Sequence, residues 1–107
     1  MPTYYKNAKV DLTTTSVTTL YTAPAATTAI FKSLIVADDS AGTSTITVTL
    51  KDAAGAVFVL FSVKATAASG SVDLLSQPLV VQESEILKVT AANANKLHVV
   101  GSYIEIS

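Results

Sequence analysis

The sequence predicts an all-β domain, a sandwich or barrel of about eight antiparallel strands. In residues 44–50 (STITVTL), aliphatic side chains alternate strictly with threonines, and successive side chains of an extended strand point to opposite faces. This segment is therefore predicted to be a half-buried strand, with Ile46, Val48 and Leu50 directed inward. Turn-forming residues recur at intervals of about ten residues, and no segment shows the helical period of about 3.6 residues.

Three strands are predicted before this segment, at residues 4–10, 16–22 and 28–38. Pro24 follows the second of them and lacks the amide hydrogen that a continued strand would need. The third strand is apolar on both faces, as expected of a central strand. Its predicted faces are Ile30, Leu34 and Val36 on one side, and Phe31 and Ile35 on the other.

Gly-containing turns at residues 39–42 and 51–55 enclose the alternating strand, and their lengths favour β-hairpins. A fifth strand is predicted at residues 56–66. Because both faces of its first half are apolar, that half is predicted to be covered on both sides. The faces are Val57, Val59, Phe61 and Val63 on one side, and Phe58 and Leu60 on the other.

The remaining strands are predicted at residues 71–76, 79–82, 86–91 and 97–106, and Pro78 separates the first two. Lysines inside or at the ends of strands discourage unwanted edge pairing; they are Lys32, Lys51, Lys64 and Lys88. A chain of 107 residues without a charged or Pro-rich linker is expected to form a single domain, residues 1–107.

The composition predicts contact with another protein. Only 14% of the residues are charged, against a usual value of about 25%, although a small domain has much surface to cover. The alternative is that the many Thr and Ser residues supply polarity without charge.

Several classes of protein are disfavoured. With a net charge of −1, seven Lys and no Arg, the chain lacks the basic stripe expected for nucleic-acid binding. No apolar run approaches about 18 residues and no leader pattern is present, so neither a transmembrane helix nor a signal peptide is predicted. The absence of Cys excludes disulfides, thiolate catalysis and Cys-based zinc sites.

Candidate catalytic and metal-binding residues are few. His98 is the single histidine, and catalysis would require a nucleophile or a second acid or base beside it; it is predicted to be a structural or half-exposed residue. Asp38, Asp39 and Asp52 could offer oxygens to calcium, but the spacing of a calcium loop is missing, so they are predicted to form turns. We therefore expect no enzyme activity, no cofactor and no metal.

The tyrosines allow two interpretations. Tyr4, Tyr5, Tyr21 and Tyr103 could stack on sugars beside a polar loop with Asn93 and Asn95, but carbohydrate platforms usually include Trp and this chain has none. Tyr also suits protein interfaces, where an apolar ring and a hydrated hydroxyl are both useful. The protein interface is favoured, and a carbohydrate-binding module for host attachment is the alternative.

One long stretch, residues 17–55, resembles small virion structural proteins of tailed bacteriophages. It has a short strand ending in Leu-Tyr-Thr-Ala-Pro, a long aliphatic strand ending near Asp38 and Asp39, a Gly-containing turn and a Thr-alternating strand. The resemblance continues through Pro78 and Leu79, an acidic turn and strand at residues 83–89, and a last strand ending at residues 101–106. It thus spans nearly the whole chain.

The resemblance implies a jelly-roll-like β-sandwich located in the virion. It implies a homotrimer that decorates, or cements, the shell by binding the major capsid protein, or alternatively a component of the neck, tail or baseplate. The apolar surface in excess of one core predicts the subunit or capsid contacts, which are Tyr4, Tyr5, Leu97, Val99 and Tyr103.

Overall fold

The computed structural model describes residues 3–38, 45–65, 70–93 and 97–107. These residues form nine β-strands. The strands are β1 (Thr3–Leu12), β2 (Thr18–Thr22), β3 (Thr28–Asp38), β4 (Thr45–Lys51), β5 (Val57–Ala65), β6 (Ser71–Asp73), β7 (Leu79–Val81), β8 (Ile86–Ala91) and β9 (Leu97–Ile106). The turn at residues 39–42 lies outside the described residues.

The strands form two antiparallel sheets, which confirms the predicted β-sandwich. Sheet A has the order β1-β9-β3, with both β6 and β7 paired to the far side of β3, and sheet B has the order β2-β8-β4-β5. Strands β6 and β7 occupy one edge of sheet A, since β6 pairs with residues 35–37 of β3 and β7 with residues 29–31. Counted as one interrupted strand, they give the predicted number of about eight.

The pairing of the strands is nested along the chain. Strand β1 pairs with β9, β2 with β8, β3 with β6 and β7, and β4 with β5. Lateral pairing of β9 with β3 and of β8 with β4 then completes the two sheets. Because the first and last strands are neighbours, Thr3 lies opposite Ile106.

The hydrophobic core lies between the two sheets. The predicted alternation of β4 is confirmed, since Ile46 and Val48 are at most 1% exposed and the intervening threonines are half-buried. From sheet A, the core receives the buried side chains Leu12, Phe31, Leu34, Val36, Leu97 and Val99. Sheet B adds Leu87, Val89 and Ala91 of β8.

The predicted faces of β3 are wrong, because the strand contains a β-bulge. The register passes from Phe31 opposite Tyr103 to Ser33 opposite Ser102, so β3 has one extra residue, Lys32, at this point. An extra residue exchanges the inner and outer faces beyond it. Phe31 therefore shares the core face with Leu34 and Val36. Ile30 and Ile35 are on the outer face, with Ile35 39% exposed.

The predicted two-sided covering of β5 is also wrong. Strand β5 is the edge of sheet B, and Val57, Phe58 and Val59 are each more than half exposed. Its register with β4 shifts twice, between the partners of Ile46 and Val48 and again between those of Val48 and Thr49. Such irregularities disturb the free edge and make pairing with another strand less favourable.

Candidate interaction surface

The described residues contain no group of three or more His, Asp or Glu side chains placed to hold a metal ion. Asp52 forms a turn, as predicted, because its Oδ1 accepts hydrogen bonds from the amides of Ala54 (3.0 Å) and Ala56 (2.8 Å). Asp38 is 2% exposed, and Asp39 lies outside the described residues. None of the described segments forms a helix that is long and apolar enough to cross a membrane.

His98 lies on the outer face of sheet A, in the half-exposed position that was predicted. Its Nδ1 is 3.3 Å from Oδ1 of Asp11, and the two side chains are 44% and 58% exposed. A contact between two side chains this exposed contributes little to stability.

The four tyrosines do not form one platform. Tyr21 and Tyr103 are buried and pack with Phe31, with ring centroids separated by 4.6 Å for the tyrosine pair and 4.8 Å for Phe31 and Tyr103. Tyr4 and Tyr5 are exposed, but as neighbours in β1 they point to opposite faces of the strand. Of the predicted polar loop, Asn93 is exposed and Asn95 lies outside the described residues.

Glu105 is the centre of a polar network at the end of the core. Its Oε2 accepts a hydrogen bond from the Tyr21 hydroxyl (2.6 Å), and its Oε1 accepts one from Lys6 Nζ (2.9 Å). Both hydrogen bonds lower the pKa of the Glu105 carboxyl, and the bond from Tyr21 has the larger effect. Burial, followed by the bond to Glu105, raises the pKa of Tyr21. The network is not visible in the sequence, because its partners are 84 and 99 residues apart.

Three of the predicted contact residues face the core of their own chain. Leu97 and Val99 have no exposed surface and Tyr103 has 8%. Since a buried side chain has little or no surface to offer a partner, these three are corrected to core residues. Tyr4 and Tyr5 are 49% and 82% exposed and remain available for contact.

The outer face of sheet A carries an apolar row that crosses four strands. Tyr5 of β1 lies opposite Ile104 of β9, which lies opposite Ile30 of β3, which lies opposite Val80 of β7. Tyr5 is 82% and Val80 is 47% exposed, whereas the two isoleucines are half-buried. We call these four residues the apolar row.

A second row crosses the same face farther along the strands. Lys9 lies opposite Val100, Val100 opposite Ile35, and Ile35 opposite Asp73 of β6. Val100 and Ile35 are 37% and 39% exposed. We call these four residues the mixed row, because an aliphatic centre lies between a cation at one edge of the sheet and an anion at the other. Between the two rows, Asn7 and Ser102 pair with each other, and Ser102 pairs with Ser33.

The outer face of sheet B is different in character. Across β2, β8 and β4 the outward residues are chiefly threonines and lysines, with Thr19 opposite Lys88, Lys88 opposite Thr49, and Thr47 opposite Thr90. Such a face is typical of a sheet surface that remains in water. The unusual apolar surface of the chain is therefore concentrated on sheet A and on the β5 edge.

An open groove of about 450 Å³ runs beside the apolar row. Tyr5, Lys6, Asn7, Lys32, Ser102, Tyr103 and Ile104 line it. Its lining has two cations and no carboxylate, and it shares Tyr5 and Ile104 with the apolar row. Comparison with protein-family models and with curated proteins found no match.

Proposed function

We propose that this chain is a non-enzymatic structural protein of a tailed-bacteriophage virion, a homo-oligomeric decoration protein that binds and stabilises the major capsid shell. The observation that carries the proposal is the outer face of sheet A, with its apolar row and the aliphatic centre of its mixed row. The resemblance of the sequence to small virion structural proteins supports the viral setting.

Burial of this face would supply the affinity. Apolar surface removed from water contributes about 25 cal/mol per Å², although the loss of freedom on association offsets much of that gain. On a symmetric particle, many copies bind equivalent positions, and an oligomer that engages several capsid subunits gains affinity through avidity. Modest apolar contacts are therefore sufficient for a function that depends on shape and area.

We also infer that the sandwich is a jelly roll. A jelly roll has eight strands in two sheets, and this chain has that number when β6 and β7 are counted as one interrupted strand. The nested pairs support the inference, because a long ribbon of paired strands that folds over on itself places β1-β9-β3 in one sheet and β2-β8-β4-β5 in the other.

A place in the neck, tail or baseplate is the main alternative, since the resemblance implies it equally. The two positions differ in copy number. We expect quantitative gel analysis of purified virions to find hundreds of copies for a decoration protein, and a small multiple of the tail symmetry for a tail component. Absence of the chain from the virion would contradict both.

Binding to shells that lack the protein tests which surface is used. Ile104→Glu places a charge in the apolar row, and we expect it to weaken cosedimentation with purified shells by about tenfold or more. The matched control is Ile86→Glu, because Ile86 is a half-buried residue opposite Lys51 on sheet B. Equal loss in both variants, or loss in neither, would contradict sheet A as the contact surface.

A carbohydrate-binding module would give another result. Glycan-array binding that is lost in Tyr5→Ala, with no binding to shells, would favour host attachment over decoration. We expect no glycan signal.

A further inference from the structure

The outer face of sheet A is complementary to itself. In the apolar row, the largest side chain, Tyr5, lies at the β1 edge and the smaller Val80 at the β7 edge. In the mixed row, Lys9 lies at the β1 edge and Asp73 at the opposite edge, with Val100 and Ile35 between them. Within these two rows, the residue at one edge of the sheet thus has its complement at the other edge.

A two-fold axis converts this arrangement into contacts. Suppose that the axis lies in the interface, parallel to the strands and between β9 and β3. Each residue on the β1 side of one copy then faces the residue at the same distance from the axis on the β6 and β7 side of its partner. Lys9 of one copy then faces Asp73 of the other, and Tyr5 faces Val80. The central aliphatic residues meet in the same way, Ile104 with Ile30 and Val100 with Ile35.

We infer that two copies of this chain pair face to face through the outer face of sheet A about this axis. The inference deepens the proposed function and rests on its claim that the outer face of sheet A is a contact surface. It assigns that face to a second copy, so the pair would bind the shell through its other surfaces, and Ile104→Glu would weaken shell binding by removing the avidity of the pair. A three-fold axis would not give these contacts, because it joins two different patches of neighbouring subunits.

The area of the face is adequate for a stable pair. Strand β9 has ten residues, which span about 33 Å, and four strand positions at about 4.8 Å give a width of roughly 19 Å. The flat area is thus roughly 600 Å², before side-chain relief is added, against about 800 Å² per partner in a standard interface. Two sheets packed face to face lie about 10 Å apart at about −30°, so the axis would bisect that angle and lie about 15° from the strands of each copy, which keeps the two rows of each copy near those of the other.

Charged substitutions at the two ends of the apolar row test the pairing. The unsubstituted protein is expected to have the mass of two 11.1 kDa chains by light scattering and sedimentation at micromolar concentration. Tyr5→Lys and Val80→Glu should each raise the dimer dissociation constant about tenfold or more, since each places an unpaired charge in an apolar contact. Both positions are well exposed in the single chain, so neither change disturbs its core.

The double variant, Tyr5→Lys with Val80→Glu, should recover most of the lost affinity. Its two charges lie three strand spacings apart within one chain, about 14 Å, beyond the range of a direct ion pair and of unscreened attraction at physiological salt. They meet only across the proposed interface. The recovery should disappear at high salt.

Val57→Glu is the control, because Val57 is 57% exposed on the β5 edge of the other sheet. A monomer throughout, a trimer mass, or a dimer unaffected by Tyr5→Lys and Val80→Glu would each overturn the pairing. Virion copy number is measured separately, so a monomer found in virions overturns the pairing and self-assembly but leaves the virion structural role. A dimer that is absent from virions overturns the proposed function alone.

Discussion

Gly101 is the point at which an aromatic ring approaches the backbone of β9. A Cβ atom at this position would lie 2.7 Å from Cε2 of Phe31. Phe31 is fully buried and stacks on Tyr103, so its ring has little room to move.

We therefore expect Gly101→Ala to lower the free energy of unfolding by about 1–3 kcal/mol. Urea denaturation followed by near-ultraviolet circular dichroism would measure the change. Ser102→Ala is the matched control, since the neighbouring side chain is exposed and should alter stability by less than about 0.5 kcal/mol.

The ionisation of Glu105 makes the stability of the fold depend on pH in the acid range. Its hydrogen bonds with Tyr21 and Lys6 lower the pKa of the folded-state carboxyl, so the folded chain binds this proton less readily than the unfolded chain. The stabilisation is therefore fully present above the unfolded-state pKa and is lost as the pH falls through the folded-state pKa. Glu105→Gln should be less stable at neutral pH, and its stability should fall less between neutral pH and about pH 3.

Tyr21→Phe tests the larger of the two contacts. It removes the hydroxyl that donates to Oε2 of the buried Glu105, and we expect a loss of about 1–3 kcal/mol in unfolding free energy. In an NMR titration, the pKa of Glu105 should rise relative to that in the unsubstituted protein. An unchanged pKa would show that Lys6 alone sets the carboxyl's titration.

At the scale of single strands, Asp73 accepts a hydrogen bond from β3 just beyond its bulge. Oδ1 of Asp73 accepts hydrogen bonds from the amides of Leu34 (3.1 Å) and Leu75 (3.0 Å). Leu34 is the first core residue after the bulge, so this carboxylate holds the strand where its inner and outer faces exchange.

Asp73→Ala should destabilise the fold by about 1–3 kcal/mol, because it leaves two amides without their acceptor. Hydrogen exchange at Leu34 should accelerate in the same variant. Asp73→Asn retains an acceptor oxygen and should be affected less. Equal effects of the two changes would show that charge, and not hydrogen bonding, is the important property.

The sequence pattern determines the inner face of some strands and not of others. Alternation with Thr identified the inner face of β4 without knowledge of its neighbours. In β3 and β9, both faces are apolar, so period alone could not select the inner one. The missing information was tertiary: a bulge at Lys32 in β3, and for β9 the pairing with β1, in which Ala8 and Val10 are half-buried and Leu12 is buried. The aliphatic part of the candidate surface was missed for that reason, whereas Tyr5 was predicted.

For the whole molecule, nested pairing has a kinetic consequence. The pairs β1 with β9 and β2 with β8 join distant parts of the chain, and such contacts form only after large loops have closed. We expect folding in milliseconds to seconds, as in other sandwiches dominated by non-local pairing. Stopped-flow refolding would measure the rate, and microsecond folding would contradict the expectation.

The two broad sides of the molecule differ in their affinity for water. If two copies bury the outer faces of their sheets A against each other, both broad surfaces of the pair are sheets B, which carry chiefly hydroxyl and ammonium groups, with Val57 and Val59 confined to the β5 edge. The doubled particle would then be more hydrophilic than its halves, so growth would stop at two copies rather than continue into stacks.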